Sequence, residues 1–189
     1  MRKRPNRPIN KNMFAGIEIT EVDVTNLDSP ERIISYAQKN GYCNGACTDI
    51  ERLISDNPEL ELDFADLGQN DARIIKVAEK RYRITVNSKH PKSRQRFSMA
   101  HEYIHYQMHR DKLAQMPDGE QILHRNEERN PIEYEANAGA ADILMPKEVF
   151  MQVLKETNGK IGKMAEAFQV STLALRYRAK NLDIPGHGL

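Results

Sequence analysis

The sequence predicts an α+β fold, in which a small, mostly antiparallel sheet packs on a helical core and further helices follow. Three short segments, 60–64, 74–77 and 82–86, are rich in alternating, β-branched or aromatic residues, which is typical of strands. The last two segments should pair as a hairpin, because only a short polar turn separates them. Two longer segments without proline, 99–112 and 132–145, carry apolar residues at helical spacing and should form the core helices.

Two shorter helices are expected before the sheet. Ser29 precedes Pro30, an order that favours a helix beginning at Pro30, and this helix should run to about Lys39. A second helix should cover residues 49–55. The predicted strands follow these two helices and would pack on the longer core helices.

The composition fits one domain with small appendages. The chain has 189 residues, with 28 Lys and Arg, 27 Asp and Glu and a net charge of +1, which argues against strong overall attraction to nucleic acid. It has no apolar run long enough to span a membrane. Residues 1–12 are basic but lack the apolar stretch of a signal peptide, so we expect a cytoplasmic protein with a disordered arm. Cys43 and Cys47 should be free thiols, because two cysteines alone complete no metal tetrad.

Residues 101–105 constrain the function most tightly, because they read H-E-x-x-H. On a helix, His101 and His105 lie on the same face, so both imidazoles can reach one tetrahedral zinc ion. Glu102 follows the first histidine, where its carboxylate can take a proton from water activated by the metal. We expect this helix to have Ser98 as its N-cap and to continue for about four turns.

A zinc peptidase site needs a third protein ligand and keeps its fourth position for water. The candidates are His109, Asp111, His124, Glu133 and Glu135. A helical span of about 12 Å separates His109 from His101, so we do not expect both on the same ion. We expect His109 at the helix end or in contact with a ligand histidine. Asp111 would need a helix-breaking glycine three residues after the second histidine, which the sequence lacks. His124 lies in a polar loop, where a histidine is more often solvated.

Glu133 is the third ligand that we favour. It opens the predicted helix 132–145, and Asn137 lies one turn later on the same face, where its amide can hydrogen-bond to a ligand histidine. Small residues at 136 and 138–141 would allow this helix to approach its neighbour closely. Glu135 points to a different face and is the fallback ligand.

Three blocks of sequence occur in a defined order. Residues 94–105 read R-Q-R-F-S-M-A-H-E-Y-I-H, residues 133–146 read E-Y-E-A-N-A-G-A-A-D-I-L-M-P, and residues 165–171 read A-E-A-F-Q-V-S. With these blocks the chain resembles the ImmA/IrrE family of metallo-endopeptidases. Two details differ from the family's usual pattern. Gly139 stands where most members have Phe, and the bulky residues at 103 and 104 stand where many have a smaller pair, so the cleft could be narrower or the substrate different.

The resemblance implies a zincin-like fold with Zn²⁺ held by His101, His105 and Glu133, and with Glu102 as the general base. Members of the family typically cleave or inactivate a repressor or antitoxin-like regulator, often one encoded nearby on a mobile element. A helix-turn-helix repressor or an antitoxin is therefore the expected partner, and no membrane partner is expected. The negatively charged intermediate of peptide cleavage needs a hydrogen-bond donor, and the candidates are Tyr134, Tyr106 and His124.

The C-terminal part should also be helical. A helix is expected over 147–155, and a helix-turn-helix-like pair over 161–168 and 172–182. The second helix of this pair carries the basic residues Arg176, Arg178 and Lys180. Binding of nucleic acid is a secondary expectation, because the family's similar segment belongs to the peptidase domain.

We therefore expect a basic arm at 1–12, a peptidase-like domain at 13–146, a helical extension at 147–184 and a tail at 185–189. The favoured function is the cleavage of a regulatory protein by a zinc endopeptidase. The alternative is a metal-containing regulatory protein that keeps the fold but captures a repressor or DNA without cutting. A complete ligand set together with Glu102 favours cleavage, because capture does not require them.

Overall fold

The computed structural model describes residues 23–118 and 131–186. The basic arm at 1–12, most of the polar loop with His124, and residues 187–189 lie outside these ranges, so the predictions for them stay predictions. In the described ranges, no helix is both long and apolar enough to cross a membrane. The same ranges form eight helices and two small sheets, which confirms the α+β class.

The two helices that precede the larger sheet form where the sequence predicts them. Helix α1 spans Pro30–Lys39, and the hydroxyl of Ser29 caps it by accepting a backbone hydrogen bond. Helix α2 spans Ile50–Ser55, and the carboxylate of Asp49 caps it in the same way. The start of each helix was therefore readable from a single polar residue.

The strands form two separate sheets. Strands β1 (Cys43–Asn44) and β2 (Cys47–Thr48) make a minimal antiparallel ribbon that carries both cysteines as free thiols. Strands β3 (Leu60–Ala65), β4 (Ala72–Ala78) and β5 (Arg81–Asn87) form the larger sheet in the order β3-β5-β4. The hairpin of β4 and β5 is antiparallel, as predicted, whereas β3 runs parallel to β5. The larger sheet is therefore mixed, a detail that the prediction of a mostly antiparallel sheet did not contain.

The central helix, α3, spans Lys92–Met108 and begins well before the predicted N-cap. Ser98 does not cap the helix, because its hydroxyl donates a hydrogen bond to the carbonyl of Arg94, one turn earlier, at 2.9 Å. The first turns are held by polar contacts, such as the one from the Gln95 amide to the carbonyl of Asn87 at 3.0 Å. The prediction of Ser98 as the N-cap was therefore wrong. It relied on the spacing of apolar residues, which does not reveal helical turns that are held by polar contacts.

Helix α3 also ends earlier than predicted. His109 follows it with φ −117° and ψ 25°, which interrupts the helical path, and the short helix α4 (Arg110–Ala114) comes next. Helix α3 packs against β4 and β5 and also against α5. The ring of Tyr106 on α3 lies 5.5 Å from that of Tyr82 on β5, at an angle of 65°. The helix is therefore the centre of the core.

The remaining helices follow the predicted spans closely. They are α5 (Pro131–Leu144), α6 (Lys147–Glu156), α7 (Ile161–Phe168) and α8 (Thr172–Asn181). Pro146 separates α5 from α6, because proline cannot continue a helix.

A buried arginine connects the last helix to α5. The Nε of Arg178 donates to the carbonyl of Met145 at 2.9 Å, and its guanidinium pairs with Asp142 at 2.6 Å. Arg178 is therefore committed to contacts within the protein, which removes one of the three basic side chains considered for nucleic-acid binding. The division of the chain at residue 146 stays a prediction.

Candidate metal centre

The candidate centre lies where α3 faces the first turn of α5. His101 and His105 lie one turn apart on α3, and their Nε2 atoms are 3.0 Å apart. Glu133 on α5 places its Oε2 3.2 Å from His101 Nε2 and its Oε1 3.2 Å from His105 Nε2. One ligand atom from each of the three residues lies within 4.8 Å of the others. The structure therefore brings together the three residues predicted as ligands.

The spacing of these atoms fits a small divalent metal ion. Nitrogen and oxygen ligands bind a zinc-sized ion at about 2.0–2.2 Å, so two ligands at a tetrahedral angle are about 3.4 Å apart. The observed separations of 3.0 and 3.2 Å are close to that value. Two imidazoles and one carboxylate also form a donor set that suits zinc and other first-row metals.

A hydrogen bond from the neighbouring helix orients His101. Its Nδ1 lies 3.1 Å from the amide oxygen of Asn137 on α5. Because an amide oxygen only accepts, His101 carries a hydrogen on Nδ1, so Nε2, which lies toward Glu133, is the nitrogen that can bind a metal. A histidine that binds a metal through one ring nitrogen commonly donates a hydrogen bond from the other nitrogen to an acceptor of this kind. Asn137 therefore lies where the sequence places it, one turn after Glu133 and against a ligand histidine.

Glu102 is buried beside the cluster, with only 4% of its surface exposed. Burial raises the pKa of its carboxyl to about 7, while the charge of His101 opposes this rise and that of Glu133 adds to it. Its Oε2 has no hydrogen-bond partner among the described residues. A buried carboxylate oxygen without a partner is costly, so this oxygen is available to a water molecule or a substrate group.

The charges of the cluster support one another. Burial raises the pKa of the Glu133 carboxyl, but hydrogen bonds with His101 and His105 outweigh burial and hold that pKa well below its usual range. Burial likewise lowers the pKa of His101, and the hydrogen bond to Glu133 with the charge of Glu102 raises it more. The site therefore favours an anionic Glu133 facing positive charge, as a metal ligand requires.

The comparison with known families agrees with this geometry. A family model described as Peptidase_M78, the IrrE N-terminal-like domain, matches residues 58–180. The chain belongs to this family. No match was found among curated proteins.

M78 proteins are metallopeptidases, so the family implies a metal ion and a protein substrate. The matched residues 58–180 include the larger sheet, α3, α5 and most of the C-terminal helices. All three residues of the candidate metal cluster lie inside this span. The resemblance found in the sequence is thereby confirmed at the level of the family.

The remaining residues that the sequence offered as hydrogen-bond donors or ligands lie outside the three-residue metal cluster of this M78 domain. The hydroxyl of Tyr106 donates to Glu59 at 2.9 Å and accepts from Arg110 at 3.0 Å, so it is engaged in a separate network. Tyr134 is 73% exposed and adjoins Glu133 in the chain. Asp111 lies exposed on α4. Among the described residues, Tyr134 is therefore the donor candidate whose hydroxyl faces solvent.

The two departures from the usual family pattern meet in the structure. Ile104 on α3 is completely buried and packs against Gly139 on α5. A Cβ atom at Gly139 would lie 2.9 Å from Ile104 Cδ1 and 3.1 Å from both Cγ1 and Cγ2. A large residue on α3 thus occupies the space that a missing side chain leaves on α5. The two differences compensate each other in the packing of the two helices that hold the metal ligands.

This packing predicts that Gly139→Ala lowers stability. Overpacking costs about 1–3 kcal/mol, and the better helix propensity of Ala returns about 1 kcal/mol, so we expect a net loss of about 1 kcal/mol. Ile104→Val removes Cδ1, the atom nearest to the added Cβ. The double variant should therefore lose less free energy of unfolding than the sum of the losses in the two single variants. Urea unfolding of the metal-free protein measures all three.

Gly162→Ala is the matched control for this prediction. Gly162 lies on helix α7, and a Cβ atom there would meet nothing within 4 Å. This variant should gain stability from helix propensity, by no more than the roughly 0.5–1 kcal/mol typical of a helix interior because Gly162 lies in the first turn. A gain of similar size in Gly139→Ala would contradict the contact with Ile104.

His109 makes two contacts near the cluster, and the sequence predicted only the first. It lies at the end of α3 and its ring contacts the ligand histidine His105, as expected, whereas its contact with Glu135 was not predicted. The spacing of four residues between His105 and His109 was a visible signal for the first contact. The second contact depends on where α3 ends and how α5 packs, which residue spacing does not report.

Proposed function

We propose that this protein is a zinc-dependent endopeptidase that cleaves a regulatory protein, with Glu102 as its general base. One observation carries the proposal. Two imidazole nitrogens and the Glu133 carboxylate converge at 3.0 and 3.2 Å, beside a buried carboxylate whose Oε2 lacks a partner among the described residues. A cluster with a purely structural role would not need that fourth group.

Zinc is the metal that we assign to the site. Two histidines and one glutamate are the ligand set of one class of catalytic zinc sites, which keep the fourth position for water. An ion held by His101, His105 and Glu133 would supply a Lewis acid that polarises the scissile carbonyl and acidifies water.

The protein's own residues would supply the proton transfers. Glu102 accepts a proton from the attacking water and later delivers it to the amine of the leaving fragment. The raised pKa of about 7 suits a group that must both take and release a proton near neutral pH. Asn137 keeps His101 in the tautomer whose Nε2 would bind the ion. Tyr134, exposed next to Glu133, donates a hydrogen bond to the developing negative oxygen.

The proposed substrate is a helix-turn-helix repressor or an antitoxin-like regulator. The support for this class is the resemblance of the three sequence blocks to the ImmA/IrrE family, and all three blocks lie within the residues matched by the M78 family, 58–180. We place the reaction in the cytoplasm, in keeping with the two free cysteines.

A cleavage assay against helix-turn-helix regulators encoded beside this gene tests the proposal. We expect the zinc-loaded protein to make a discrete cut in one of them, and the chelator-treated protein to make none. Adding zinc back should restore the cut, because the loss of cleavage comes from removal of the metal and not from irreversible damage to the protein.

The alternative of capture without cleavage gives a different result in the same assay. A tight stoichiometric complex without a cut, formed equally by chelator-treated protein, would replace the endopeptidase proposal with capture. Cleavage that continues after complete removal of the metal would also contradict the proposal.

A further inference from the structure

A series of hydrogen-bonding groups leads away from His105, and its other members, His109 and Glu135, have no role in the proposed reaction. His109, the residue at which α3 ends, is buried, and its Nδ1 lies 3.0 Å from His105 Nδ1. Its Nε2 lies 3.2 Å from Oε2 of Glu135 on α5. This series of hydrogen-bonding groups therefore runs from the candidate metal site to the surface, where the Glu135 side chain is 53% exposed.

The chemistry of these groups decides which nitrogen of each ring carries a hydrogen. An ionised carboxylate only accepts, so Glu135 requires a hydrogen on His109 Nε2. A neutral histidine with that hydrogen keeps a lone pair on Nδ1, which faces His105. His105 then donates from its own Nδ1, which leaves Nε2 as the nitrogen that can bind a metal ion at the site it shares with His101 and Glu133. The reverse arrangement would put a hydrogen on His105 Nε2 and prevent that nitrogen from binding a metal.

We infer that His109 and Glu135 are positioning residues that hold His105 in its metal-binding tautomer, an inference that rests on the proposed zinc site. The amide oxygen of Asn137 acts in the same way on His101, at 3.1 Å. The packing of α5 on α3 thus places the ligand Glu133 and also makes the two supporting contacts, from Asn137 to His101 and from Glu135 to His109. Helix α5 supplies one ligand directly and fixes the other two through Asn137 and through Glu135 with His109.

Direct measurement of Zn²⁺ affinity tests this inference without any substrate. We would titrate the full-length chain against a chromophoric zinc chelator and record the thermal midpoint of each metal-free variant. His109→Phe keeps a ring of similar size but removes the acceptor, and it should weaken Zn²⁺ binding about 10- to 100-fold. His109→Asn puts an amide oxygen near the place of Nδ1, as Asn137 does for His101, and should restore most of the affinity.

His90→Phe is the matched control. His90 is also partly buried and paired with a carboxylate, 3.0 Å from Asp71, but it precedes α3 and has no contact with the cluster among those described. This variant should bind Zn²⁺ like the wild type. A purely structural role of His109 predicts instead that thermal midpoint and affinity fall together, and that Asn does not rescue either.

Three results would overturn the inference. They are wild-type affinity in a folded His109→Phe, an affinity of His109→Asn as low as that of His109→Phe, and no binding of Zn²⁺ by the wild type. The third result would defeat the proposed function as well, whereas the first two leave the zinc site intact. If His109→Phe does not fold, Glu135→Ala takes its place because it changes an exposed side chain. A several-fold loss of affinity in Glu135→Ala supports the inference, and unchanged affinity overturns it.

Discussion

Glu102→Gln is expected to retain Zn²⁺ and to lose about 10²- to 10⁴-fold in the rate of substrate cleavage. Glutamine has nearly the same shape but cannot take a proton from water. Glu102 is not among the three residues of the metal cluster, so affinity for the metal should change little. The measurement is a comparison of kcat/KM and of zinc content in the same preparations. Wild-type cleavage by zinc-loaded Glu102→Gln would exclude Glu102 as the general base.

Stability provides a second readout for this variant. The pKa of Glu102 is higher in the folded chain, at about 7, than the usual value near 4.5 in the unfolded chain. The charged carboxylate therefore opposes folding above the folded pKa, and replacing it by an amide removes that penalty. We expect the metal-free variant to be no less stable than the wild type at pH 8. Glu148→Gln, the same change at an exposed position in the first turn of α6, is the control. It should leave cleavage unchanged and lower stability only by the fraction of a kcal/mol that the helix dipole contributes, about 0.3–1 kcal/mol.

The parts of the fold that were predictable are those encoded within a few neighbouring residues. Ser29 before Pro30 indicates where α1 starts, and the apolar pattern of β4 and β5 predicts their hairpin. The parallel pairing of β3 with β5 was not predictable, because an alternating pattern does not say which strand lies alongside. The start of α3 was missed for another reason. Its first turns are stabilised by polar contacts to backbone carbonyls outside the helix, such as those from Gln95 to Asn87 and from Arg96 to Thr48.

The contacts of the candidate site were likewise predictable where they lie within one helix. His101 and His105 share a helix face, so their spacing alone predicts that they meet. Glu133 and Asn137 also share a helix face, and together they indicated which side of α5 turns toward the histidines. The contact of His109 with Glu135 was beyond this reasoning, because it needs the break in α3 after Met108 and the exact placement of α5. Spacing predicts contacts within one helix, and packing decides those between helices.

Glu133→Ala is expected to lower Zn²⁺ affinity by more than the roughly 10- to 100-fold that loss of an outer hydrogen-bond partner costs. Removing the carboxylate leaves two imidazoles, fewer than the three protein ligands that a catalytic zinc site has. Thermal unfolding reports the change, because a ligand present at 1,000 times its Kd stabilises the folded chain by about 4 kcal/mol. The wild type should show this zinc-dependent rise in Tm. The variant should lose most of it at the same zinc concentration.

Glu148→Ala separates metal binding from an effect of helix position. Glu133 and Glu148 both lie in the first turn of a helix, where a carboxylate is favoured by the helix dipole. If that position were the whole reason for Glu133, the two variants would lose a similar fraction of a kcal/mol and keep the same response to zinc. We expect Glu148→Ala to keep the full zinc-dependent rise in Tm. An equal rise in Glu133→Ala would show that the carboxylate of Glu133 does not bind the metal.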